Sequence, residues 1–389
     1  MTKQLLINDQ EVGQKKRLDF KLDLQSYTLI AALVLIAIIF SIFTGGEFLS
    51  SRNISNLFSQ MAVIAILAIG MTLVIVASHI DLSVGSIVGL TGGIAAMLQV
   101  WYGWNTFFVI IAAIGIGALI GIFQGWWVAY RDVPAFIVTL GGMLIFRGIL
   151  IGLSDGQTIS SMSDSFKSIG NSYLPYVLGY TIAIVSIALL FFNVVRRRKK
   201  RNDMGLLTFS PTVDYGRTAI YGFFILLVTY LLNRYYGIPI PLLIVAIVAA
   251  VFIFVSNKTS FGRFIYAIGG NQEAAALSGI NIKRNTLWVF IIMGALCGIA
   301  GVLLTSRLNA ATVSAGNSYE LDAIAACVIG GTSLAGGKGK IFGALIGALI
   351  MTSIDNGMSM MNIGAYWQYI VKGLILIIAV WIDISSKKQ

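Results

Sequence analysis

One histidine occurs in this 389-residue sequence. It is His79, and Asp81 stands two residues later in SHIDLSVGS, Ser78–Ser86. The stretch separates two apolar runs, MAVIAILAIGMTLVIVA and IVGLTGGIAAML. An ionisable group among apolar helices is costly and is a functional candidate by default. Asp81 has two roles open to it: capping the free N–H groups of a helix that starts near Leu82 or Ser83, or contacting a polar solute. Asp322, in LDAIAACVIGGT, has the same two. His79 reads as a neutral imidazole satisfied at a helix end, with a proton relay as the alternative. Arg147 lies inside another apolar run, where it pairs with an intramembrane acid or snorkels outward.

Catalytic constellations are missing. No GxSxG, HExxH or CxxC pattern is present, and a single histidine gives little support to His-based triads or multi-His metal sites. GTSLAGGKGK, Gly331–Lys340, lacks both the spacing of a phosphate loop and a Ser or Thr after Lys338 to hold magnesium. It reads as a glycine-rich turn. Cys297 and Cys327 give no disulfide framework. A transport subunit that is not an enzyme, with no cofactor and no metal, is the expectation.

The elements around these residues are helices in a membrane. The chain is 57% hydrophobic and 11% charged, where a soluble domain carries about 25% charge. Its apolar runs mark twelve candidate spans: 27–43, 61–78, 84–99, 106–127, 134–153, 174–194, 218–235, 240–256, 286–305, 321–335, 341–358 and 367–384. Several are shorter than the ~20 residues of a straight crossing. Residues 1–26 form a polar N-terminal arm, and 27–389 a single all-α polytopic domain of about ten to twelve helices. Lys and Arg gather in the arm, in RRRKKR (196–201), in 257–285 and at the C-terminus, which puts both termini in the cytoplasm. The net charge of +11 is thereby a matter of topology and anionic headgroups, with no nucleic acid required.

The chain also resembles itself. GALIG occurs at Gly117–Gly121 and Gly343–Gly347, followed at nearly equal distance by Arg147-Gly148 and Lys372-Gly373. Upstream, IDLSVGSIVGLT matches LDAIAACVIGGT and pairs Asp81 with Asp322. Matched helices cross in opposite directions, as in an inverted repeat that encloses a pathway near the midplane. The halves span about 61–153 and 286–384.

Between them lies NKTSFGRFIYAIGGNQEAAALSGINIKRN, 257–285. Glu273 to Gly279 is expected to form a short helix with Asn271 as N-cap and Gly279 closing it. Glu-Ala-Ala with a Gly six residues after the Glu resembles the EAA loop of ABC-transporter permeases. IDLSVGS, PAFIVTLGGMLIFRGI, GRFIYAIGGNQEAAALSGI and DAIAACVIGGTSLAGGKG occur in one order. Together they resemble the permease family of bacterial ribose, arabinose, galactose and xylose ABC importers. The insert around 174–240 and the C-terminal DNGMSMMNIGAYWQYIVKGLILIIAVWID are similar to the D-xylose members. His79 departs from the family pattern, in which Gly or an acidic residue often precedes IDLSVG.

The resemblance implies a multi-pass inner-membrane permease dimer in membrane lipid. Its partners are a cytoplasmic sugar-type ATPase and an extracytoplasmic sugar-binding protein. Gly270, Asn271, Glu273, Ala274, Ala275 and Gly279 would form the coupling helix on the ATPase. Sugar hydroxyls call for Asp81, Ser83, Thr91, Thr139, Asn317, Asp322, Thr332 and Asn356 along the pathway. The loops 155–173 and 307–320 would meet the binding protein. A proton-coupled symporter using His79 and Asp81 is the competing reading.

Overall fold

The computed structural model describes residues 24–206 and 210–385. Most of the N-terminal arm is thus outside the described residues. Nearly everything described is helix. Fifteen α-helices are joined by short turns and two antiparallel two-residue ladders, Ile159–Ser160 with Ala310–Ala311 and Tyr173–Leu174 with Ile238–Pro239.

Among the described residues nine helices are long and apolar enough to cross a membrane: α2 (Ser51–Val76), α4 (Thr106–Tyr130), α5 (Ala135–Ser154), α7 (Tyr176–Asp203), α8 (Pro211–Asn233), α9 (Ile240–Lys258), α12 (Ile282–Leu308), α14 (Ile341–Met360) and α15 (Ala365–Ser385). Two further apolar helices are shorter, α1 (Leu24–Phe43, its apolar part 28–43) and α3 (Val84–Val100). The expected span 321–335 is not one. Helix α13 stops after 11 residues, Tyr319–Ile329, about 16 Å at the helical rise against a hydrocarbon core of about 30 Å. Gly331, Gly336 and Gly337 then take positive φ, and the chain turns.

The chain divides into two compact units. One contains the hairpin of α7 and α8. RRRKKR does not form a loop there; it continues α7, with Lys200 and Arg201 in the last turn, where cations suit the negative helix end. Arg198 pairs with Asp214 and lies over the Tyr215 ring.

The other unit holds the remaining helices around α2 and α12. The apolar window of α2 is 94% buried and that of α15 is 0% buried, so α2 is core and α15 is outer surface. Packing is reciprocal. α2 packs on α13 and α14, while α12 packs on α3 and α4; α3 also packs on α5, and α13 on α15. Both copies of GALIG serve as G-x-x-x-G surfaces, the first between α4 and α12 and the second between α14 and α13. A Cβ on Gly117 or Gly121 would come within 2.1 and 2.2 Å of carbonyls on α12, those of Gly294 and Phe290. On Gly343 or Gly347 it would come 2.0 Å from the carbonyl oxygen of Gly330 or Ala326, respectively. Small residues let membrane helices approach this closely.

Candidate functional site

Helix α2 ends where Ser78 takes φ 63 and the His79 N–H donates to the Val74 carbonyl at 3.0 Å. Asp81, buried, accepts from the Ser83 N–H at 2.8 Å and the Ser83 hydroxyl at 2.6 Å. Ser83 is the N-cap of α3 and makes no side-chain cap bond. Asp81 therefore does not cap helical N–H groups as expected; it holds the turn in front of the helix. Gln124 on α4 donates to the Ser83 hydroxyl at 2.8 Å. Thr139 on α5 donates to its own helix at Ala135, and at 3.4 Å to the Ile80 carbonyl. The His79 ring is 5.9 Å from that of Phe290 on α12. The break is thus held by three neighbouring helices.

A second interruption follows α12. Its backbone reverses at Asn309, φ 51. The expected outer loop 307–320 does not lie wholly on the surface. Arg147 on α5 donates to the Val313 and Ala315 carbonyls at 2.6 and 2.9 Å. Gly316 lies against Gly85 in the first turn of α3, so close that a Cβ on either would meet the other's carbonyl oxygen at 2.2 Å. Irregular backbone inside a membrane persists where protein satisfies its polar groups. Arg147 supplies donors here, and its hydrogen-bond partners are main-chain carbonyls in place of the acid expected.

Asp322 lies in the first turn of α13 and pairs with Lys372 on α15 at 2.9 Å, while Asp355 on α14 pairs with the same ammonium at 2.8 Å. One Oδ1 on each carboxylate is buried without a hydrogen-bond partner among the described residues. The proposed pathway residues are therefore not one cluster. Asp81, Ser83 and Thr139 meet around the first break. Asp322 joins a charged triad. Thr91 bonds to its own helix at Ile87 and to the Cys297 carbonyl of α12, and Asn356 accepts from Asn53 of α2 at 2.9 Å; both join helices. Asn317 is exposed beside Gly316, and Thr332 is buried, its hydroxyl without a hydrogen-bond partner among the described residues. Gln124 and Asp355 were not among the expected site residues. Their only signal is polarity inside apolar helices.

The loop 257–285 folds into α10 (Ser260–Gly270) and α11 (Gln272–Leu277). The Asn271 side chain caps α11 by accepting from the Ala274 N–H at 2.9 Å. Gly279 follows with φ +79. Ala275 packs inward, whereas Glu273 is exposed and Leu277 is 91% exposed.

The end of α10 is also wedged into the membrane unit. A Cβ on Gly269 would lie 1.7 Å from the Val76 carbonyl oxygen at the end of α2. That oxygen accepts from the Gly337 N–H at 2.9 Å. Ser78 donates to the Gly269 and Ala335 carbonyls at 3.4 and 3.3 Å, and the Tyr266 hydroxyl to the Gly339 carbonyl at 2.7 Å. The glycine-rich turn thus joins α2 to the loop that carries α11.

Residues 53–380 match the family described as branched-chain amino acid transport system / permease component. The xylose transport system permease protein XylH of Escherichia coli (strain K12) is 51% identical over 368 residues, 95% of this chain and 94% of that protein. XylH of Haemophilus influenzae is 50% identical over 369 residues, 94% of this chain and 98% of that protein. The ribose import permease protein RbsC of Escherichia coli (strain K12) is 37% identical over 366 residues, 94% of this chain and 95% of that protein. No solved structure matches.

Proposed function

This chain belongs to the family of branched-chain amino acid transport system permease components, and from that premise we propose how it works as the membrane-spanning subunit of an ABC importer for D-xylose. It is a transport subunit and not an enzyme; a separate ATPase hydrolyses ATP, and a sugar-binding protein delivers the solute. The xylose assignment is supported by identity to the xylose permeases above that to the ribose permease. It is a multi-pass inner-membrane protein. Both termini face the cytoplasm in this reading, and two copies of the chain form the pathway.

The observation that carries the mechanism is the junction of Gly269, Val76 and Gly337. Gly270, Asn271, Glu273, Ala274, Ala275 and Gly279 form the coupling element, with Glu273 and Leu277 towards the ATPase. Closure of the ATPases displaces α11, and α10 passes the displacement to the end of α2. The break around Asp81 and Ser83 moves against the turn at Gly316, and access changes sides. The repeat halves, about 61–153 and 286–384, act as the two rocking parts; the exchange of packing partners between them supports this. The pathway is lined around Asp81, Ser83, Thr139, Asn317 and Asp322. Thr91 and Asn356 hold helices in place, and Thr332 supports the glycine-rich turn.

Reconstitution tests the reading. Proteoliposomes holding this chain, its ATPase and the binding protein should take up xylose in a vanadate-sensitive way, unaffected by an uncoupler. Uptake without the ATPase, collapsing with an uncoupler while ATP is maintained, would instead establish a symporter.

A further inference from the structure

Beside the coupling element lies a groove of about 560 Å³ between α10 and α12. On α12 its lining residues Asn281, Arg284, Asn285, Trp288 and Ile292 recur at helical spacing and form one stripe. Phe261 and Phe264 of α10 face that stripe, and the turn Gly279–Ile280 completes the lining. We propose that this groove is a binding site for one anionic phospholipid, its phosphate at Arg284 and Asn285 and its acyl chains along Phe261, Phe264, Trp288 and Ile292.

Three observations converge on that occupant. The groove is two-ended. Arg284 and Asn285 lie in the first turn of α12, and Trp288 and Ile292 follow one and two turns deeper. An amphipathic ligand fits such a gradient better than a free anion or an apolar molecule. Its charge is unbalanced: Arg284 is the one charged residue of the lining, in a segment, 257–285, that also contains Lys258, Arg263 and Lys283 against one carboxylate, Glu273. Arg284 has no acidic partner among the described residues, although Arg198 and Lys372 do. Its aromatic residues are placed as in an interfacial belt, Trp288 being 47% and Phe264 37% exposed. Indole and phenyl rings at headgroup level beside basic residues are a lipid-facing arrangement.

A lipid here would bear on the turn that closes α11, so its control of transport rests on the coupling role proposed above. Binding itself does not, and is read on the permease alone.

The full-length permease, delipidated and exchanged into equal phosphatidylglycerol and phosphatidylcholine, is examined by native mass spectrometry. One phosphatidylglycerol per copy should be retained in preference to phosphatidylcholine. Arg284→Gln should weaken its retention about fivefold, the worth of one basic residue at an anionic surface. Trp288→Ala should weaken retention of both lipids equally, and Lys199→Gln on α7 should change nothing. Equal retention of the two lipids by the unaltered chain, or full retention by Arg284→Gln, would overturn the proposal. So would displacement by soluble glycerol phosphate, which would make this a free-phosphate site, or by the ATPase, which would make it a protein interface.

Discussion

Gly269→Ala is the sharpest perturbation of the coupling mechanism. The new methyl would sit 1.7 Å from the Val76 carbonyl oxygen and 2.6 Å from the Gly337 nitrogen, where real Cβ contacts below 3.0 Å are essentially never seen. Both opposing atoms are backbone, so no rotamer change relieves the clash, and α10 must withdraw from α2 by about 1.3 Å, the difference between 1.7 and 3.0 Å. Overpacking of this kind costs about 1–3 kcal/mol. Loss of the Gly337 to Val76 hydrogen bond adds about 0.5–1.5 kcal/mol. The two together, about 1.5–4.5 kcal/mol, shift the joined state by at least about tenfold. Xylose uptake in proteoliposomes should fall to a few per cent, while the ATPase still co-purifies because α11 is untouched. Gly141→Ala, a position with nothing within 4 Å, should transport normally. Tyr266→Phe removes the bonds to the Gly339 carbonyl and the Ser256 hydroxyl and should slow uptake a few-fold without a clash, which covers the case that Gly269→Ala does not accumulate. Wild-type uptake by both junction variants would refute transmission through this contact.

Glu273→Lys reverses the charge of an exposed residue in the first turn of α11; ATPase co-purification and uptake should be lost with membrane insertion intact. Lys372→Met leaves Asp322 and Asp355 without their common cation. Breaking a buried pair costs about 3–5 kcal/mol, so the melting temperature should drop, and adding Asp322→Asn and Asp355→Asn should recover part of it. Arg147→Met strips the Val313 and Ala315 carbonyls of a donor, at about 1–3 kcal/mol for a buried group left unpaired. A maleimide directed at Ser314→Cys should then react faster than in the Arg147 background.

Local chemistry was legible in the sequence, and tertiary partnership was not. The α11 helix could be read because its cap, Asn271 to the Ala274 N–H, lies within three residues. GALIG could be matched because G-x-x-x-G packing is a property of one helix face. Hydropathy marked 321–335 as a span, since Gly330 and Gly331 hardly lower a mean that a left-handed turn nonetheless ends. Of the two roles open to Asp81, capping fails by a small margin: the helix begins after Ser83, so the carboxylate reaches the cap residue and not the helix. Gln124 and Asp355 gain meaning only from Ser83, 41 residues away in sequence, and from Lys372. Arg147 was beyond prediction because its partners are main-chain carbonyls, which any residue can supply.

In the proposed mechanism, the connections of α11 would let one short helix move both repeat halves of the membrane domain. Towards its C-terminus it leads through Ile280 and the cap Asn281 directly into α12, the leading helix of the second half. Towards its N-terminus it meets Gly269, held against the end of α2, the leading helix of the first half. One connection is covalent and the other is a glycine-sized contact, and both act at the same end of the domain. Each leading helix is followed by an interruption, and the second interruption touches the helix that follows the first, Gly316 against Gly85 in the first turn of α3. Because α2 packs against α13 and α14, and α12 against α3 and α4, a displacement of either leading helix is passed to the other half. A push confined to one helix would be opposed by this exchanged packing. In this mechanism a push delivered to both at once leaves the glycine contact between α3 and the second interruption as the place where the relative motion is taken up.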